Sequence, residues 1–229
     1  MFDDHLRKLF IEALGETLFL VFGTGLFVLV IGFIIGFLLY ASEADSLFGN
    51  KTSIKVFHRI LATINDVARS IPFIILLILL IPVTRILVGT MLGARAALPA
   101  LIISASPFFA RVVHMSLREV PKDTLEALEA MGASSLIKLK VIFKEALSTL
   151  VSGYTLTLVT LVGFMSAAAV IGAGGLAYLA YEYGKFGNNY PLMYLSIATI
   201  LLIVLIIQVS GDYLSRKLDH IIKKQEKNK

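Results

Sequence analysis

The chain has 229 residues, 57% of them hydrophobic and only 16% charged, and its mean hydropathy is +0.85. A soluble domain of this length needs more polar surface than that to cover its core, so the composition excludes an ordinary soluble enzyme and points to a membrane protein. The net charge of +5 does not indicate nucleic acid, because the basic residues cluster beside apolar runs, and the lack of cysteine removes disulfide, thiolate and iron–sulfur chemistry.

Residues 1–15 are mixed in charge (Asp3, Asp4, Arg7, Lys8, Glu12) and show no small-residue cleavage site, so the first span is expected to stay as an anchor. Five transmembrane helices are predicted in a single all-α domain over residues 1–229, since apolar runs of about 20 residues are what a ~30 Å hydrocarbon layer requires. The first, 17–40, carries no charge and places Gly32 and Gly36 four apart, the small-xxx-small spacing that lets membrane helices approach closely. The second, 71–88, contains Pro72 and Pro82, which are expected to break or bend it. The third, 96–113, carries Pro99, Pro107, Ser104 and Ser106.

A connecting loop over 120–146 follows. Pro121 and the pair Asp123/Glu126 read as a helix start with a variant capping box, and Gly132 is placed to end that helix in the left-handed region. The expected product is a helix of about two turns with Ala127 and Ala130 on a smooth side and Leu125 and Leu128 as apolar knobs. Ser134 or Ser135 then caps a second helix, in which Leu136, Leu139, Val141, Ile142 and Phe143 alternate with Lys138, Lys140 and Lys144, the pattern of an interfacial helix. Periodicity alone leaves this loop as either a docking element or a plain connector.

The fourth span, 147–171, is rich in Thr, Ser, Gly and Ala, as suits a packing or pathway-lining helix. Thr155, Thr157, Thr160, Phe164, Met165 and Ser166 are its candidates for lining a pathway. Gly172 to Gly175 reads as a turn at its outer end. The fifth span, 192–209, precedes a basic tail of Arg216, Lys217, Lys223, Lys224, Lys227 and Lys229.

An odd number of spans puts the termini on opposite sides. With the C-terminus inside, sixteen of the 21 Lys and Arg lie inside (Lys51, Lys55, Arg59 and Arg69 among them) and five outside (Arg7, Lys8, Arg85, Arg95, Lys185). The positive-inside rule therefore predicts an N-out, C-in topology, with the 120–146 loop cytoplasmic. Asp66 and Arg69, three apart on a helix, are expected to pair. Arg69, Arg85, Arg95 and Arg111 fall near span ends, where their side chains can snorkel.

No acidic residue or histidine falls mid-span, which argues against a proton-coupled carrier. His58 and His114 read as isolated, with no metal-ligand spacing. No phosphate-cradling glycine loop with its lysine occurs, and no set of residues converges for catalysis, so neither enzymatic activity nor a cofactor is expected.

Glu126-Ala127-Leu128, three residues, Gly132 and then Ile142 resembles the EAA loop of ABC-importer permeases. Glu126, Ala127, Gly132 and Ile142 match in register; Leu128 replaces the third alanine, and Lys144-Glu145 stand where the family has Leu-Pro. Arg69-Ser-Ile-Pro-Phe73, Ile81-Pro-Val-Thr-Arg85, Pro107-Phe-Phe-Ala-Arg111, Gly172-Ala-Gly-Gly-Leu176 and Tyr181-Glu-Tyr-Gly184 are similar to the methionine-uptake branch.

The resemblance implies a permease of the bacterial cytoplasmic (inner) membrane that imports an amino acid, D- or L-methionine. ATP hydrolysis would reside on a separate ABC ATPase subunit, present in two copies. It further implies pairing with a second copy of the chain, delivery by a substrate-binding lipoprotein, membrane lipid as surroundings and no nucleic acid. ATPase coupling would fall to Asp123, Leu125, Glu126, Ala127, Leu128, Ala130, Gly132 and Ala133, with Glu126 as a polar anchor. The alternatives are a permease of the same type for another small solute, or a membrane scaffold without transport.

Overall fold

The computed structural model describes residues 4–43 and 52–219. Lys51 and the tail residues Lys223, Lys224, Lys227 and Lys229, used in the charge count above, lie outside them. Among the described residues the chain forms nine helices and no strand: α1 (Asp4–Ala41), α2 (Thr52–Ser70), α3 (Phe73–Leu79), α4 (Ile81–Val88), α5 (Ala94–Arg118), α6 (Lys122–Ala130), α7 (Ser135–Ala169), α8 (Gly175–Lys185) and α9 (Tyr190–Leu218). Four of them, α1, α5, α7 and α9, are each long and apolar enough to cross a membrane.

The second predicted span is not one helix. The chain bends by 101° between α2 and α3, and together that pair supplies the fifth candidate crossing. Pro72 occupies the N-cap position of α3, and its ring pushes Ile71 out of the helical region. Leu80 then joins α3 to α4; Pro82 sits in the first turn of α4, where its missing N–H is tolerated. The preceding α2 is strongly amphipathic rather than apolar. It escaped the hydropathy reading because its apolar residues are interleaved with Lys55, His58, Arg59, Asn65 and Asp66 instead of running together. Asp66 and Arg69 on it do pair, at 3.5 Å.

The centre of the bundle is α5. Its alanines Ala97, Ala100, Ala105 and Ala110 are almost fully buried, and such small side chains let neighbouring backbones come close. Pro99 and Pro107 lie inside it without ending it. Along α1 the buried positions Thr17, Leu20, Thr24, Val28, Gly32, Gly36 and Leu39 recur every three or four residues, one helical face turned to the bundle. Gly32 and Gly36 are where that face lies tightest. A Cβ on Gly32 would come within 2.9 Å of the Ser106 carbonyl oxygen, and one on Gly36 would crowd Ala110 and Val113. The glycine spacing read from the sequence is thus a backbone-to-backbone seam between α1 and α5. At the far side α9 is mostly exposed along its apolar length, as a lipid-facing helix should be.

Two further differences concern helix ends. The predicted interfacial helix and the fourth span are one uninterrupted 35-residue helix, α7. At 1.5 Å per residue it runs about 52 Å, longer than the hydrocarbon layer, so its lysine-bearing first turns project beyond it. The glycine turn after α7 is present, with Gly172, Gly174 and Gly175 all at positive φ. It leads into α8, which the sequence reading did not anticipate because the helix is short and starts with glycine. Its start is capped from α1: the Gly175 N–H donates to Glu16 Oε2 at 2.7 Å and the Leu176 N–H to Thr17 Oγ1 at 2.8 Å. A carboxylate at a helix N-terminus satisfies an orphan donor and meets the positive end of the helix dipole.

Candidate functional site

Helix α6 begins at Lys122, with Pro121 at the N-cap position and no side-chain cap. Asp123 therefore does not form the expected capping box. It sits within the first turn, where a negative charge still favours the helix through the dipole. The far end matches the expectation closely. Gly132 has φ +71°, its N–H donates to the Glu129 carbonyl at 2.9 Å, and the Ala133 N–H donates to the Leu128 carbonyl at 2.9 Å. Those two bonds are the pair that defines a Schellman ending. A Cβ on Gly132 would meet nothing within 4 Å, so glycine is required here by the backbone conformation and not by space.

No residue of α6 is buried, yet its two sides differ. Leu125 packs against the main apolar core, Leu128 is half-buried, and Val120, just ahead of the helix, is buried. The knob expected at Leu125 therefore turns toward the chain's own bundle and Leu128 is half covered, the two leucines being the only large apolar groups α6 has. Asp123, Glu126, Ala127, Ala130 and Gly132 face outward, and Ala133 is half-buried. The exposed apolar groups beside them are Met131 (74% exposed) and Leu136 (79%); the sequence reading named Leu136 only as part of the second helix and did not name Met131. Their signal lay in position: each flanks the turn that reverses the chain, where no neighbouring helix reaches. Lys138 of α7 donates to Glu129 Oε1 of α6 at 2.8 Å, tying the two helices across the turn.

A second cluster lies where α1, α2 and α5 meet. His114 Nε2 is 3.2 Å from Glu43 Oε2, Arg118 Nε is 3.4 Å from the same oxygen, and Ser42 Oγ is 3.2 Å from His58 Nδ1. The two imidazole rings are 6.3 Å apart. The histidines expected to be isolated therefore belong to one polar clasp, brought together because α2 folds back under the end of α5. No three His, Asp or Glu among the described residues are placed to hold a metal ion.

The pathway candidates on α7 divide between opposite faces. Thr157 and Met165 are buried in the protomer, and Phe164 stacks on Phe73 of α3 with ring centroids 4.9 Å apart. Ser166 looks outward on the face that also carries Gly163, and Thr160 is half-buried between the two faces. The hydroxyls of Thr157, Thr160 and Ser166 all donate to carbonyls four residues back on their own helix. The three hydroxyls thus leave few free donors on α7. Thr155, the sixth candidate, is buried as well, and the structure does not gather the six residues into one lumen.

Several apolar crossings, a broken span and a surface helix closed by a left-handed glycine define a polytopic helical membrane protein of the permease type. Residues 51–220 match the family described as "Binding-protein-dependent transport system inner membrane component", and the chain belongs to that family. It is 44% identical over 183 residues to the methionine import system permease protein MetP of Bacillus subtilis, covering 80% of this chain and 81% of that protein. Over 206 residues it is 42% identical to the probable D-methionine transport system permease protein MetI of Haemophilus influenzae, covering 90% and 95% respectively. A solved structure described as an inward-facing conformation of the MetNI methionine ABC transporter superposes with a TM-score of 0.87 at 38% identity, covering 95% of this chain and 99% of that one.

Proposed function

We propose that the chain is the membrane subunit of an ATP-driven methionine importer, in which α6 docks a separate ATPase and two copies of the chain frame the pathway. The observation that carries this reading is the form of α6, an outward-facing Ala/Glu surface closed by a Schellman turn at Gly132, in register with the EAA pattern. The names of the similar permeases from Bacillus and Haemophilus supply the substrate. The substrate-binding partner is supported by the description of the family as binding-protein-dependent. The lysine and arginine distribution supports the N-out, C-in orientation, which makes α6 cytoplasmic.

Mechanically, α6 and α7 form one lever. Leu125 holds α6 to the core, the Lys138–Glu129 pair spans the turn, and α7 continues without a break across the apolar layer. When ATP draws the two ATPase subunits together, a displacement at α6 becomes a tilt of α7 instead of being absorbed in a flexible joint. Pairing of two copies would place the small-residue face of α7 (Gly163, Ser166) at the shared axis. A pathway with few free donors suits a solute handed over by an external binding protein and held only in passing. The test is uptake of labelled L- and D-methionine in a strain deleted for this chain and complemented with it. Loss of uptake on deletion, restored on complementation, is the expected result; unchanged uptake of both isomers would remove the substrate assignment.

A further inference from the structure

A groove of about 510 Å³ opens on the side of the bundle away from the Gly163 face of α7, between α1, α7 and α9. Leu29, Tyr154, Leu158, Ile207 and Leu214 line it, with Phe109 of α5 at its floor. Two hydroxyls that border it are already committed. Thr155 donates to the Val151 carbonyl at 2.9 Å and Ser210 to the Ile206 carbonyl at 2.6 Å, each on its own helix. An amino acid or sugar would find few partners in such a groove, whereas a hydrocarbon chain needs none.

The end of the groove nearest α6 has the opposite chemistry. On α7 the lining residues Leu147, Val151, Tyr154 and Leu158 recur at three- and four-residue spacing. The same stripe continued toward the start of the helix reaches Lys144 and then Lys140, both exposed. Their Cα atoms lie about 4.5 and 10 Å beyond that of Leu147 along the helix axis. The last turn of α9, beside the same end, carries Arg216 and Lys217.

We propose that this groove is a binding site for an anionic phospholipid, with an acyl chain along α7 and the phosphate held by Lys140 and Lys144. The charge at the mouth also argues against the second copy as occupant. A two-fold contact through this face would bring the lysines of both copies to the same depth, like charge against like. The proposal goes beyond transport itself and does not depend on which solute is carried.

The chain has no tryptophan, so an introduced one reports on its own surroundings. Ile206→Trp places a reporter on the groove rim, Leu214→Trp a second nearer the lysines, and Leu201→Trp a control on another face of α9; all three positions are exposed. Each full chain is reconstituted with its ATPase subunit, and the complex of the tryptophan-free parent gives the background. The readout is quenching by acyl-brominated phosphatidylglycerol against acyl-brominated phosphatidylcholine, titrated in mixed vesicles.

The groove reporters should be half-quenched at an up to about 25-fold lower fraction of the anionic lipid, each lysine contributing about fivefold. That preference should shrink in high salt and disappear in Lys140→Gln/Lys144→Gln, while Leu201→Trp shows none. Equal quenching of the groove reporters by both lipids, or the same preference at Leu201→Trp, means an ordinary lipid shell and overturns the site. Absence of quenching at both groove reporters means that protein covers the groove, which overturns it as well.

Discussion

Replacing Gly132 separates the backbone conformation at the end of α6 from everything around it. With φ at +71° and open space where a Cβ would stand, Gly132→Val meets no packed neighbour at its Cβ and leaves the core untouched. The cost is conformational: an L-residue in the left-handed region is disfavoured by about 1–2 kcal/mol, with β-branched side chains at the upper end. The alternative is to open the turn and lose the two 2.9 Å bonds from the Gly132 and Ala133 N–H groups, at roughly 0.5–1.5 kcal/mol each. The cheaper route sets the loss, and the strain of about 1–2 kcal/mol lowers the fraction of loops in docking geometry by about 5- to 30-fold. Gly132→Asn should keep most function, because asparagine visits the left-handed region at far lower cost. The assay is initial-rate methionine uptake alongside membrane abundance by immunoblot. Near-normal uptake by Gly132→Val, or equal loss in Gly132→Val and Gly132→Asn at normal abundance, would refute the reasoning.

Gly36→Leu should destabilise the protomer by roughly 1–3 kcal/mol through overpacking against Val113, seen as a lower unfolding temperature in detergent. Gly163→Leu has nothing within 4 Å to meet, so it should leave that temperature unchanged while weakening self-association measured by light scattering; an unchanged dimer would place the shared axis elsewhere. Glu16→Ala removes the acceptor of the Gly175 N–H and should cost about 0.5–2 kcal/mol, read as faster hydrogen exchange at the start of α8 and not in α5. The absence of native cysteine makes labelling clean. In the chain expressed without its ATPase subunit, Ala130→Cys should react with an impermeant maleimide only in opened cells and Tyr190→Cys in intact ones, and the reverse pattern would invert the topology.

The long apolar helices were legible in the sequence because each contains a long, mostly apolar stretch without charge, and so was the Gly132 turn, because a left-handed residue admits few amino acids. The α1–α5 seam was visible as the spacing of Gly32 and Gly36, although nothing in that spacing says which helix fills it. What could not be read depends on pairing at a distance. Glu16 caps a helix 159 residues away, and Glu43 meets His114 across 71. Local pattern also misled where a rule has two outcomes. Asp123 suited a cap, but Pro121 took that position, and Lys138 to Lys144 read as a separate interfacial helix because charge marks a membrane boundary without ending a helix. The pathway residues were chosen by composition, and composition does not distinguish the two faces of α7.

The central claim is that α6 is where the ATPase sits, and site-specific crosslinking tests it most directly. Single cysteines at Ala127, Ala130 and Met131, all exposed in the isolated chain, would be labelled with a maleimide–benzophenone, whose photoactivated ketone inserts into C–H bonds of whatever lies beside it, and irradiated in the assembled complex. A crosslink to the ATPase subunit from these positions, and none from Tyr190→Cys at the start of α9, is the predicted result. An intact complex that gives no crosslink from any α6 position would contradict it.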